Sequence, residues 1–155
     1  MRVLAIDPGF KQSGWLLCDS EPFSIRDMGI SSNDDVRIRC AHEAFDVVVI
    51  EHISMGGMIA GQETFDTCFE AGRFAETAAP RPFVLLKRIK VKLHLCGQAR
   101  AKDANIRQAL IDRFGGSEAI GKKKTPGPLY GVKAHIWAAL AIAVTYVDTA
   151  TGGQA

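Results

Sequence analysis

Two short apolar runs in this chain each stop on a carboxylate. Val3-Leu4-Ala5-Ile6 ends at Asp7, and Val47-Val48-Val49-Ile50 ends at Glu51. An apolar run with no polar face must be covered on both sides, which suits a central strand of an α/β sheet. Such a strand carries its terminal acid to the rim of the sheet. Two of them can set Asp7 and Glu51 side by side, where like charges repel unless a cation neutralises them. A hard divalent ion does this well, and hard-metal sites commonly serve phosphate chemistry.

The rest of the pattern supplies elements around that pair. Residues 2–7 read as a buried strand, 9–14 as a turn, 14–19 as a returning strand and 23–30 as a third, which makes an antiparallel meander. Residues 34–45 read as a short helix and 47–51 as the central strand. The glycine-rich stretch 56–61 is a flexible joint. Over 62–78 the spacing predicts a helix whose stripe of Phe65, Cys68, Phe69, Gly72 and Ala75 is mostly core, with part of it open to a dimer seam. Phe65, Phe69 and Phe74 cannot all face inward on one narrow side. After Pro80 and Pro82, residues 83–86 form a strand. Residues 89–95 alternate apolar and basic with period two, which predicts a strand with one positive face. Lys102 to Phe114 reads as a helix closed by Gly115-Gly116, 117–131 as a loop, and Lys133 to Val147 as a buried last helix. The domain is expected over 1–148, with a flexible, frayed tail beyond it. The element order matches an α/β fold of the ribonuclease H-like kind: a mixed five-stranded sheet flanked by helices.

Composition narrows the class. The 155 residues, 47% hydrophobic and 23% charged, fit one soluble domain with a real core. No apolar run reaches membrane-spanning length, and Asp7-Pro8-Gly9 interrupts the first one, so a cytoplasmic protein without a membrane partner is expected. Cys18, Cys40, Cys68 and Cys96 form no CxxC pair and read as reduced, mostly buried thiols. The net charge of +2 matters less than its distribution. From Ala78 to Lys102 there is no acid, while Arg81, Lys87, Arg88, Lys90, Lys92, His94, Arg100 and Lys102 all fall there, and Lys122-Lys123-Lys124 adds a second cluster. Such stretches suit a phosphate backbone, although solvated lysines also protect sheet edges.

Further segments carry a family likeness. Ala5-Ile6-Asp7-Pro8-Gly9 with Ser13-Gly14-Trp15 resembles the first motif of RuvC-like Holliday junction resolvases, and Val49-Ile50-Glu51 resembles their second acidic strand. The segments 102–110, 126–131 and His135-Ile136-Trp137-Ala138-Ala139-Leu140-Ala141 look like the bacteriophage and prophage branch of that family. The likeness covers nearly the whole chain, with motifs in the family's order. It implies a homodimeric, magnesium-dependent endonuclease that cuts branched DNA in a bacterial host cell. A metal-activated water would attack in line and leave a 5′-phosphate and a 3′-hydroxyl.

The resemblance places metal ligands at Asp7, Glu51 and His135. Imidazole favours manganese over magnesium, or acts as a proton shuttle. The fourth ligand position of the family falls on Ala138, which cannot bind a metal. Asp103 is the spare acid: either a replacement ligand or second partner, or a carboxylate complementing a helix dipole. Lys102 is either solvated or a catalytic neutraliser of the scissile phosphate. Arg73, Lys87, Arg88, Lys90, Lys92, Arg100, Lys122, Lys123 and Lys124 are the expected DNA-binding residues. Three other readings share these features: a junction-binding protein that does not cut, a ribonuclease H-like nuclease for RNA or flap DNA, and a sugar or acetate kinase-like ATPase. The last needs two such domains.

Overall fold

A computed structural model describes residues 1–151. Three antiparallel strands come first: β1 (Arg2–Asp7), β2 (Gln12–Ser20) and β3 (Phe23–Ser32). Helix α1 (Asn33–His42) leads to β4 (Val47–His52), helix α2 (Gln62–Ala78) and β5 (Phe83–Lys87). Helices α3 (Arg88–Cys96) and α4 (Asp103–Arg113) follow, then a small hairpin of β6 (Gly121–Lys122) and β7 (Thr125–Pro126), and last α5 (Ile136–Thr151). The main sheet runs β3-β2-β1-β4-β5, antiparallel among the first three strands and parallel from β1 to β4 to β5. This is the mixed five-stranded sheet flanked by helices that the sequence implies.

Strand alternation divides the core into two layers. Val3, Ala5, Val47 and Val49 pack against α5, with Val91, Ile106 and Leu110 of α3 and α4 joining them. Leu4, Ile6, Val48 and Ile50 face the other way, onto Val36 and Cys40 of α1 and Ala71, Phe74 and Ala78 of α2. β1 and β4 are therefore covered on both faces, as their unbroken apolar runs require. Helix α5 is apolar all round because β1, β2 and β4 press on it from one side and α3 and α4 from another.

Three expectations change. Residues 89–95 are helical, not extended. Among the described residues β5 is the sheet's edge strand, with no sixth strand beside it, and the chain turns at Arg88 into α3. Val91 packs inward with Leu95 partly buried, an i, i+4 pair, while Ile89 and Leu93 are exposed. Gly97 then ends the helix at φ 69°, its N–H donating to the Leu93 carbonyl. Period two and one face of a short helix overlap over seven residues, so alternation alone misled. The α2 stripe is also mostly turned outward, with Ala75 the one of its five residues packed on the core. Ala71, Phe74 and Ala78 are buried, whereas Phe65, Cys68, Phe69 and Gly72 face out. Finally, α5 continues past 148. Asp148 accepts from both terminal nitrogens of Arg113 at 2.6 and 2.7 Å and lies 2.6 Å from His94 Nε2, which ties the last turns to α3 and α4. Residues 149–151 of the expected tail are helical, and 152–155 lie outside the described residues. Among the described residues, no helix is long and apolar enough to cross a membrane.

Candidate active site

Asp7 and Glu51 are the last acids on neighbouring parallel strands. Ile6 pairs with Ile50, so the next residue on each strand delivers its carboxylate to the same point of the sheet rim. The loop after Asp7 is tied down by polar groups. Ser13 Oγ accepts from the Gly9 N–H at 3.1 Å and donates to Asn33 Oδ1 at 2.7 Å, while Asn33 Nδ2 donates to the Gly9 carbonyl at 2.9 Å. Ser13 and Asn33 are both buried, so the network is well shielded from water.

His135 reaches this rim from the other end of the chain. It precedes α5 and its carbonyl accepts from Ala139 N at 3.2 Å. The residue before it, Ala134, sits at φ 42°, a rare conformation for a residue with a side chain. His135 Nδ1 lies 2.9 Å from Asp7 Oδ2. Close approach depends on Gly14, the β2 partner of Asp7: a Cβ there would sit 2.6–2.7 Å from the His135 backbone and Cβ.

A cleft opens over this group, lined by Asp7, Glu51, Arg88, Asp103, Arg107, His135, Trp137 and Ala138 among others. Arg88 Nη1 donates to both oxygens of Glu51, at 3.2 and 3.1 Å, and Nη2 donates to Asp103 Oδ1 at 2.5 Å. Arg107 stacks on Trp137, 4.9 Å from the ring centre. Burial pushes the Glu51 carboxyl up to about 7; Arg88 pulls it down and the Asp7 charge pushes it up again. Burial also raises Asp7, against the pull of His135 and Arg88. For Arg88 burial works against the charge, but Glu51 and Asp103 together outweigh it and raise its pKa.

The remaining expected site residues fall in different places. Lys102 is exposed just before α4, its N–H donating to Asn105 Oδ1 at 2.8 Å, and it is outside the cleft lining. Asp103 is in the first turn of α4, where it complements the dipole and also meets Arg88. Lys87, Lys90 and Arg100 are exposed and Lys92 partly so, around α3. Lys122, Lys123 and Lys124 crown the β6–β7 hairpin. Arg73 is on α2, donating to Glu70 at 3.1 Å and stacked over Phe69, away from the cleft. Sequence reasoning missed Arg107 and the bridging position of Arg88. The i, i+4 spacing of Asp103 and Arg107 on α4 is the one signal that could have found Arg107.

The fold has a counterpart among solved structures. The fold is RuvC-like. A structure of RuvC from Thermus thermophilus superposes with a TM-score of 0.67 at 18% identity, over 98% of this chain and 97% of that one. T. thermophilus RuvC in complex with a Holliday junction substrate gives a TM-score of 0.69 at 17% identity, over 98% and 97%. No protein-family model matches the sequence, and no curated protein is significantly similar to it. At this identity the likeness is one of fold, and function has to be argued from the cleft.

Proposed function

We propose that this chain is a metal-dependent, structure-selective endonuclease that cuts branched DNA, Holliday junctions in particular. One observation carries the reading: Asp7 and Glu51 stand side by side at the rim of a RuvC-like sheet, on adjacent parallel strands and largely buried, with His135 bonded to Asp7. Among the described residues, no three His, Cys, Asp or Glu side chains already stand in metal-binding geometry. The donor chemistry still fits a hard divalent ion, magnesium or manganese. Two desolvated carboxylates on adjacent strands stay raised above their ordinary range even with Arg88 on Glu51 and His135 against Asp7, so the pair still calls for more positive charge. Asp7 and Glu51 would hold the ion, with His135 as third arm; when bound, it supplies charge neutralisation at the phosphate and activates the attacking water.

The chain's own groups do the rest. His135, its Nδ1 2.9 Å from Asp7 Oδ2, would ligate the ion or carry a proton through its other ring nitrogen. Lys102, exposed and next in sequence to the cleft residue Asp103, would neutralise the scissile phosphate. The products are a 5′-phosphate and a 3′-hydroxyl. Lys87, Lys90, Lys92, Arg100 and the Lys122–Lys124 hairpin bind backbone phosphates, which gives affinity with little sequence information. Junction shape and deformability supply selectivity. Paired cuts on a two-fold substrate call for a two-fold protein, and the exposed Phe65 and Phe69 of α2 offer the apolar seam. T. thermophilus RuvC has been captured with a Holliday junction, which supports the choice of substrate.

The deciding experiment compares a four-way junction, a linear duplex and an RNA–DNA hybrid with magnesium and with manganese. Asp7→Asn and Glu51→Gln should abolish cutting and keep junction binding. Normal cutting by either variant overturns the site assignment; preference for the hybrid overturns the substrate.

A further inference from the structure

Arg88 has an unusual position for a DNA-binding arginine. It is the first residue of α3, directly after β5, and β5 is the parallel neighbour of β4. That places its guanidinium across the end of β4, where it grips both oxygens of Glu51 and reaches Asp103 on α4. Glu51 and Asp103 thereby hold the guanidinium in one place from two sides. A guanidinium has five N–H donors, so these contacts leave donors for a phosphate oxygen. Arg88 lines the same cleft as Asp7 and His135.

The charge balance of the cleft is informative. Asp7, Glu51 and Asp103 bring three carboxylates to the lining, three negative charges when all are ionised. One divalent ion and one guanidinium cancel them. A second divalent ion would need a further acid, but position 138, which faces the cleft, is alanine. It would also have to share Glu51 with an arginine that already spans both oxygens. Arg107, stacked on Trp137, is left to meet the charge of the incoming diester.

We propose that Arg88 is the built-in second cation of this site. It contacts the scissile phosphate beside a single divalent ion held by Asp7 and Glu51, and Asp103 positions it. This deepens the nuclease reading above and rests on it. Phosphoryl transfer needs fixed positive charge as charge shifts over the equatorial oxygens and the leaving oxygen, and an arginine can supply it without a second ion. The fork geometry, not charge alone, sets the contact, so lysine is an incomplete substitute.

The test measures two quantities on the full chain: single-turnover cutting of a four-way junction at saturating manganese, and manganese affinity by calorimetry on the free protein. Arg88→Gln should cut at least about 100-fold more slowly, the typical cost of losing one preorganised charge donor. It should nevertheless bind manganese several-fold more tightly, because Glu51 loses a competing cation. A merely structural arginine would lower both together. Arg88→Lys should recover part of the rate, and below saturation the wild-type rate should rise with the first power of manganese concentration. Cutting by Arg88→Gln within about threefold of wild type, or a second-power dependence on manganese, overturns the Arg88 assignment and leaves the nuclease reading standing. A wild-type chain that cuts no junction with either metal overturns both.

Discussion

His135 Nδ1 stands 2.9 Å from Asp7 Oδ2, a contact between residues 128 positions apart that joins the start of α5 to the end of β1. The contact holds the imidazole at the end of β1, inside the cleft lining. Removing it should cost a ligand or a proton carrier but leave the core untouched, since His135 is exposed. His135→Ala should lower junction cutting about 100-fold. His135→Asp should regain activity with magnesium more than with manganese, because a carboxylate is the harder ligand. Rates for both variants in each metal check this; a full-rate alanine variant would remove His135 from the site.

Gly14 makes that contact sterically allowed. Gly14→Ala puts a methyl group 2.6 Å from the His135 carbonyl oxygen, so α5 must shift at its first turn. The variant should lose about 1–3 kcal/mol of stability and should cut nearly as poorly as His135→Ala. Thermal melts and single-turnover rates on one preparation measure both effects. A stable and fully active variant would mean that His135 tolerates displacement.

Glu51 gives the metal-free protein a pH dependence with a definite sign. Its carboxyl is raised by burial from 4.5 to about 7. Between those two values the folded state holds a proton that the unfolded state has lost, so stability falls as pH rises through the interval. Asp7 is raised too and acts in the same direction. Glu51→Gln should therefore be more stable than wild type at pH 8, by up to about 3 kcal/mol, and should differ little at pH 4. Magnesium should reverse the wild-type trend, because it binds the ionised form. Melting temperatures across that range, with and without magnesium, test the assignment; a flat wild-type profile without metal would contradict it.

How much of this was legible beforehand differs between elements. The acidic strand ends were readable because a run such as Val47–Ile50 allows one environment, and Glu51 then has one place to go. Val91 was not, because alternation over 89–95 satisfies a strand and a short helix equally, and only the absence of a sixth strand beside β5 decides. The α2 stripe shows a different limit. Periodicity finds an apolar face but cannot say whether it meets this chain's core or another surface, and here Phe74 went in while Phe65 and Phe69 stayed out. Arg88 appeared only as one basic residue among many. Its bridge depends on β5 lying beside β4, a long-range pairing that no local pattern carries.

Lys122, Lys123 and Lys124 stand on a hairpin outside the cleft lining. Replacing all three with glutamine should weaken junction binding without changing the cutting rate at saturating protein. If each lysine neutralises one phosphate, the slope of log affinity against log salt should become shallower by about 2–3. Binding titrations at several salt concentrations read this directly. An unchanged slope would place the DNA on another face.

The outward face of α2 sets the last expectation. Phe65 is 61% exposed, Phe69 is 66% exposed, and Ile59 in the preceding loop is 96% exposed. Covering a phenylalanine is worth about 1.5–3 kcal/mol, so two chains meeting along this helix would gain several such contributions from both copies. Charge there reverses the gain: Phe69→Asp would replace an apolar contact with a carboxylate that must be desolvated against a partner's rings. Sedimentation equilibrium should find wild type dimeric at micromolar concentration and Phe69→Asp monomeric. The functional consequence follows from the geometry of the substrate. A two-fold dimer places one cleft on each of two opposed strands, so wild type should release paired cuts together. The monomeric variant keeps Asp7, Glu51 and His135 intact and should still nick, but the second cut should lag far behind the first. A plasmid with an extruded cruciform separates these outcomes, since one nick relaxes it and two linearise it. A wild-type chain that is monomeric even on the junction, and still linearises the plasmid in one step, would assign the α2 face to something other than a second copy.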